Sequence, residues 1–433
     1  MFEYTLSNGV IVSPGKKTYT GNLRIKGDKI VSPDSCEKDK SVRIDLNKKS
    51  YVYPSLINTH DHLQGNYRPP VGPKKGEFYL TWLPWDKDLK ASKTFQERSK
   101  LTREDLYAFS GYKCLFSGVT TVNDHFPHEI NKHLLPTLPI RAIQEYCLSH
   151  ETTSYDLKWG DGIEIEHKRA VKNKWPFITH LCEGFDQEAM DSIDILEKIN
   201  ILDKNCLFVH CIAFNDEDIK KVAKAGASIS WCGHSNMFMF NVTAKIRKMI
   251  KAGVNVTIGT DSSATGSANL LAEMKYDREL YRKLYGEDLC AKKIFEMVTV
   301  NAAKAFWMQD KIGALNEGML GDVLVLKAKH DDPHENLVNA EMKDIELLIL
   351  AGKPIYGEMR FLDVFNNAKI KQNDLPRGYT KIKVGNRTVF VLGDPAGLYN
   401  EARIKIGFKK KLDYMPFEPD TKITMKDSGK EEV

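Results

Sequence analysis

YVYPSLINTHDH, residues 51 to 62, is an apolar run that ends on two histidines two positions apart. Residues i and i+2 of a strand project from one face, so His60 and His62 converge while Asp61 points the other way. Imidazole is the commonest protein ligand for zinc and also suits iron. Alone, the pair is better explained as a solvated strand end, since any two histidines can fall two apart. The polar residues downstream reverse that reading.

Three later segments share one design. Trp175 to Leu181 (WPFITHL) is a short β-rich run that reaches His180 near its end, with Glu183 three residues on. Cys206 to Ile212 (CLFVHCI) carries His210, and Val254 to Gly259 (VNVTIG) is followed at once by Thr260 and Asp261. Nearly continuous apolar runs belong to strands buried on both faces, as in parallel sheets covered by helices. Helical patterns over Asp186 to Lys198, Asp216 to Ala225 and Val242 to Ala252 separate these runs, with the strand Ser228 to Trp231 among them. Strands that alternate with helices form an open parallel sheet or a closed barrel. Metal-capable side chains gathered at strand ends favour the (β/α)8 barrel, whose active site lies on the rim at the strand C-termini.

Together these residues resemble the amidohydrolase superfamily, in the branch that holds cytosine deaminase, adenosylhomocysteine deaminase, guanine deaminase and the triazine hydrolases. Pro54-Ser55-Leu56-Ile57-Asn58-Thr59-His60-Asp61-His62 is similar to the branch signature, with Ser55 where the family has glycine. Gly118 to Asp124 resembles its second strand, His180-Leu181-Cys182-Glu183 its His-x-x-Glu, His210 its lone histidine and Gly259-Thr260-Asp261 its terminal aspartate. The resemblance covers about residues 1 to 360 and implies one divalent metal ion, Zn²⁺ favoured and Fe²⁺ also suited. The ligands it implies are His60, His62, His180 and Asp261, with a position left for water. A bound dication acidifies that water toward neutral pH. Asp261 would accept its proton, Glu183 would carry a proton to the substrate, and His210 would steady the developing negative charge. Lys158 is the one nearby candidate for the carbamate of binuclear relatives and reads as an exposed lysine, which favours one metal.

The same resemblance implies the domain organisation. Residues 1–53 and 313–365 are expected to form one small β-sandwich beside a metal-dependent barrel over 54–312. The remainder, 366–433, is an extension the family pattern does not explain; it contains a hairpin signal from Thr380 to Leu392, turning at Gly385-Asn386. Only about thirty residues separate the third-strand segment Ile140 to Cys147 from Phe177. A crossover takes about a dozen residues, so the barrel is expected to be trimmed around strands 3 and 4. Two further departures touch the rim. Cys232-Gly233-His234-Ser235-Asn236 puts His234 near the family's proline, and Ser262 to Ser267 lacks the Gly-Ala-Ala of nucleoside-type deaminases. Trp82 and Trp85, in the long loop after the first strand, are candidate stacking surfaces for a flat heterocycle. His125 and His234 complete the substrate-facing candidates.

Composition excludes several classes. The net charge of +5 over 433 residues is small, and no concentrated basic face suggests a nucleic-acid partner. No apolar stretch reaches the roughly 20 residues that span a membrane. Eight cysteines without a CxxC pair, in a chain showing no signal peptide, read as reduced thiols of a cytoplasmic protein. The expected partner is a small-molecule substrate, with homo-oligomerisation left open. The expected function is hydrolytic deamination of a purine, pyrimidine, pterin or triazine type ring. The alternatives are loss of an amide or chloride substituent from a similar molecule, and a non-catalytic binding or scaffold relative.

Overall fold

The computed structural model of the protein describes residues 3–32, 42–368 and 375–418. Of the 366–433 extension, 369–374 and 419–433 therefore lie outside the described residues. The described chain is a mixed α/β protein with three sheets.

The N-terminal strands are β1 (Glu3–Ile11), β2 (Tyr19–Lys26), β3 (Lys29–Val31), β4 (Val42–Asp45) and β5 (Ser50–Pro54). Then follow β6 (Leu56–Asp61), β7 (Val119–Asp124), β8 (Arg141–Ala142), β9 (Cys147–Leu148), β10 (Phe177–Leu181), β11 (Cys206–His210), β12 (Ser228–Trp231) and β13 (Asn255–Ile258). The last group is β14 (Val323–Lys327), β15 (Ile345–Leu350), β16 (Lys353–Glu358), β17 (Tyr379–Val384) and β18 (Arg387–Leu392).

Both flanks of the chain share one ten-stranded sheet, in the order β17-β18-β16-β15-β14-β5-β1-β2-β3 with β4 beside β1. The seam is β14 against β5, antiparallel from Val323 opposite Pro54 to Lys327 opposite Ser50. Period-two alternation gives this sheet two apolar faces. In β14, Val323 and Val325 pack with Tyr4, Leu6 and Phe390, whereas Leu324 and Leu326 pack with Leu56, Val119 and the core of the parallel strands. The hairpin β17–β18 of the extension joins the sheet through β16. Its two-residue turn is Gly385-Asn386, with Gly385 at φ +59.

In the middle of the chain the named strands pair in parallel, beside one isolated antiparallel bridge from Thr81 to Gly184. β6, β7 and β8 form one ladder, and β9 to β13 form a second in sequence order. β10 and β11 are buried at every residue, as strands covered on both faces must be. Local signals set the connecting helices. Thr102 and Asp105 form a capping box on the helix Arg103–Leu115, and Asn215 and Asp218 form another on Asp216–Ala225, which Gly226 ends at φ +72.

One strand differs from its sequence reading. The segment Ile140 to Cys147 holds two strands rather than one, because β8 ends at Ala142 and β9 starts at Cys147. The four residues between them cannot form a crossover. Among the described residues no ladder joins β8 to β9, and the parallel set divides there. Opposite this gap, β13 meets β6 without a regular ladder: the Asp261 amide donates to the His60 carbonyl (3.1 Å) and the Thr59 hydroxyl to the Ile258 carbonyl (3.0 Å). Ser55, where the signature has glycine, hydrogen-bonds Thr120 and so ties β6 to β7.

Among the described residues no helix is long and apolar enough to cross a membrane. The seven cysteines described are free, and six are buried.

Leu324 has no exposed surface and joins the ten-stranded sheet to the parallel strands. Truncation leaves a cavity at that junction, so Leu324→Ala is expected to lower unfolding free energy by about 2–5 kcal/mol. Urea denaturation followed by circular dichroism checks this; a loss under about 1 kcal/mol would mean the junction closes around the missing atoms.

Candidate metal centre

Strand ends bring the polar residues together. His60 and His62 leave β6, His180 leaves β10, His210 ends β11, and Asp261 follows β13. His210 (φ +68) and Asp261 (φ +51) both adopt the left-handed region that side chains with a Cβ rarely occupy. Gly259 allows the close approach of β13, since a Cβ there would sit 2.7 Å from that of His60.

Ring centroids of His60, His62 and His180 lie 4.7, 5.1 and 5.3 Å apart, and one nitrogen from each falls within 4.8 Å of the others. The Asp261 Oδ1 atom stands 3.9 Å from His60 Nε2 and 3.6 Å from His62 Nε2. A second group of three shares His180 with Glu183 and His210. In it His210 Nε2 lies 3.4 Å from Glu183 Oε1.

Hydrogen bonds fix the tautomers. His62 Nδ1–H donates to the His125 carbonyl (3.1 Å) and His180 Nδ1–H to the His150 carbonyl (2.9 Å). In the neutral imidazole this leaves the lone pair of each Nε2 free for a metal ion. His60 has no exposed surface, and neither ring nitrogen meets a hydrogen-bond partner. Buried polar atoms without partners are costly, and a cation is what an orphaned imidazole lone pair accommodates. Burial first, and the neighbouring imidazoles second, hold His60 and His180 neutral, well below the ordinary histidine pKa. A dication held at 2.0–2.2 Å from N and O donors needs donor separations of about 3–4 Å. The Asp261 contacts meet that requirement, and the donor set therefore fits a divalent metal ion.

The Asp261 carboxylate is oriented from outside. Its Oδ2 accepts from Ser235 Oγ (2.6 Å) and Thr265 Oγ1 (3.1 Å), and its Oδ1 from the Ser262 amide (2.7 Å). Burial pushes its pKa up, but His62, His210 and these hydrogen bonds outweigh that and hold it below the usual range. His210 Nδ1–H donates to Asn236 Oδ1 (2.8 Å), which aims Nε2 at Glu183. Burial, reinforced by Asp261 and Glu151, raises the Glu183 carboxyl well above its ordinary value. Ser235 and Asn236 come from one short helix, Gly233–Phe240, whose start is held by the His234 amide donating to Glu273 (3.0 Å).

The substrate-facing candidates separate. His125 is fully buried beside the cluster, 4.5 Å from His180 and 5.5 Å from His60 between ring centroids, with Nε2–H bonded to the Ser149 carbonyl. Trp82 lies edge-on to His150 at 4.9 Å, and its indole N–H is taken by Glu151 (2.8 Å). Trp82 and Trp85 stand on the helix Trp82–Ala91 rather than in a loop, and Trp85 donates to the Val71 carbonyl (2.9 Å) and packs in the apolar cluster with Trp82 and Phe240. His234 bonds Ser267 and packs on Tyr276. Lys158 is exposed and pairs with Asp156.

Sequence reasoning missed four participants. His150 and Trp159 extend an edge-to-face aromatic line from His62 to Trp82. They follow β9, a two-residue strand with no readable period. Lys113 and Asn66 lie beneath the centre, and both are fully buried. Lys113 Nζ donates to Asp61 Oδ2 (2.9 Å), Asn66 Oδ1 (2.8 Å) and Thr260 Oγ1 (3.2 Å). A lysine in an amphipathic helix reads as solvated, and its buried partner is visible only in three dimensions.

The amidohydrolase family profile matches residues 161–355. The chain is 32% identical over 411 residues to 5-methylthioadenosine/S-adenosylhomocysteine deaminase of Clostridium tetani, covering 79% of this chain and 91% of that one. It is 32% identical over 416 residues to 5'-deoxyadenosine deaminase of Methanosarcina barkeri, covering 83% and 90%. Among solved structures it resembles atrazine chlorohydrolase of Arthrobacter aurescens, determined with zinc, at TM-score 0.68 and 19% identity over 84% of this chain and 99% of that one.

Removing one partner of a buried ion pair strands the other charge. Lys113→Met is expected to cost about 3–5 kcal/mol in unfolding free energy, and adding Asp61→Asn to recover part of it. A double-mutant cycle by urea denaturation measures this; additive losses would show that the two groups do not interact.

Proposed function

The chain belongs to the amidohydrolase family, and from that premise we propose that it is a zinc-dependent deaminase acting on the exocyclic amine of a nitrogen heterocycle, with an adenine-type ring the leading class. The observation that carries the reading is the convergence of His60, His62 and Asp261 Oδ1, with both ring nitrogens of buried His60 lacking a hydrogen-bond partner and Glu183 and His210 paired beside it. The names of the two deaminase relatives support the ring class. In the same reading the eight parallel strands β6 to β13 form a TIM-like barrel trimmed at β8 and β9, and the flanking strands form a β-sandwich beside it.

His60, His62, His180 and Asp261 would hold one ion, Zn²⁺ ahead of Fe²⁺. Such an ion supplies a water acidified toward neutral pH. Asp261 Oδ1, turned toward the histidines, is placed to take that water's proton. Deamination adds the water's oxygen to the ring carbon, breaks the C–N bond and releases ammonia. Glu183, whose carboxyl burial raises well above its ordinary value, would give its proton to the ring nitrogen; Asp261 would pass the water's proton to the departing amine, and Glu183 would recover the proton of the added hydroxyl as the C–N bond breaks. His210, held by Asn236, presents Nε2 to that exchange and orients the reacting oxygen. The aromatic line through Trp159, His150 and Trp82 supplies an apolar wall for a flat ring.

Two measurements test this. As purified or after loading with zinc, the protein should hold about one equivalent of metal and release ammonia from at least one member of a panel of adenine nucleosides, pyrimidines, pterins and triazines. Chelation should abolish turnover and zinc restore it. Chloride release without ammonia would replace deamination by the chlorohydrolase alternative, and failure to load metal would sink the enzymatic reading altogether. Glu183→Gln should retain zinc while kcat falls by about 10²–10⁴; wild-type turnover in that variant removes Glu183 from the mechanism.

A further inference from the structure

The C-terminal extension contributes more than the edge hairpin. After the helix Pro395–Ile406, the chain runs back over the helix Arg103–Leu115 and the loop that leaves β6. Lys405 pairs with Asp105 (2.7 Å), Lys410 pairs with Glu97 (2.5 Å), and Lys410 also lies over the Tyr67 ring. Leu412, Tyr414 and Met415 are buried.

Two consecutive residues of this segment reach Asn66 and Arg68 in the loop after His62, and these two residues in turn bond the loop after Asp261. Tyr414 has no exposed surface, and its hydroxyl donates to the Asn66 carbonyl at 2.8 Å. Asn66 is the knot of the layer beneath the histidines. Its side-chain amide donates to Asp61 Oδ1 (2.9 Å), and its oxygen accepts from Lys113 Nζ (2.8 Å) and from the Ser263 amide (2.8 Å). Asp413 bonds Arg68 (3.4 Å), whose guanidinium also donates to the Ser263 carbonyl (3.2 Å). The loop after His62 and the loop after Asp261 are therefore tied to each other through Asn66 and Arg68, and both tie points are held from outside by residues 413 and 414.

Ring burial alone does not require a hydroxyl at position 414, because phenylalanine fills the same space. The hydroxyl is committed instead to one backbone carbonyl in the loop that anchors the histidine pair. We propose that Tyr414 is a positioning residue and that the segment around it is a clamp, which sets the spacing between His60/His62 and Asp261 and so the affinity of the site for its metal. This rests on reading the centre as a metal site.

The test uses the full chain and zinc as the probe, with affinity measured by competition against a chromophoric chelator. Tyr414→Phe is expected to weaken zinc binding by about tenfold, the lower end for partners of metal ligands, and to reduce kcat with KM unchanged. Arg68→Met should shift zinc affinity in the same direction through the other arm of the clamp. Tyr112→Phe removes a comparable bond, from the Tyr112 hydroxyl to the Leu392 carbonyl (3.2 Å), at a distant contact of the extension. It should leave zinc affinity at the wild-type value. Wild-type zinc affinity in both Tyr414→Phe and Arg68→Met, or an equal loss in Tyr112→Phe, overturns the clamp. A wild-type protein that binds no zinc overturns the metal reading instead, so the two failures are distinguishable.

Discussion

Lys113 places an ammonium group where water does not reach, and the arrangement above it depends on how that charge is neutralised. Taking an ion out of water costs several kcal/mol unless partners surround it. Asp61 supplies the opposite charge, and Asn66 and Thr260 supply further oxygens. These partners come from the end of β6, the loop after it and the residue before Asp261. Satisfying one buried ammonium thus draws together the two chain segments that carry His60, His62 and Asp261. Asp61, which strand alternation directs away from the imidazoles, in this way links β6 to the layer beneath them.

Above this layer the logic changes from charge to orientation. Backbone carbonyls fix His62 and His180 in one tautomer, hydroxyls hold the outer oxygen of Asp261, and Asn236 aims His210. Each contact narrows what the reactive atom can do. The left-handed backbone at His210 and Asp261 shows the same priority, since local strain is tolerated where it aims a side chain at the site. Rigid strand ends then hold the donors before any ligand arrives, and preorganised donors of this kind lose little entropy on binding.

Much of the site was legible because its signals are local. A histidine pair at i and i+2, a histidine with a glutamate three residues on, and an aspartate after an apolar run are all visible in a linear string, and these are the residues the fold assembles. Strands β10 to β13 were equally readable from their buried apolar runs. The segment Ile140 to Cys147 was not, because two strands of two residues each leave no period to detect. His150 and Trp159 were missed for the same reason, and Lys113 because helical position says nothing about which charged face finds a buried partner.

The sequence by itself determined the chemistry: the donor types, their order along the chain and the parallel strands that present them. Tertiary structure decided the spacing and the support. It chose β14 as the antiparallel partner of β5, the seam through which the two flanks expected to meet share one sheet. It also brought Tyr414 to Asn66, 348 residues apart in sequence. The physical reason is that periodicity and residue type act over a few positions, whereas the partner of a buried charge or hydroxyl is chosen by packing among segments that are distant along the chain.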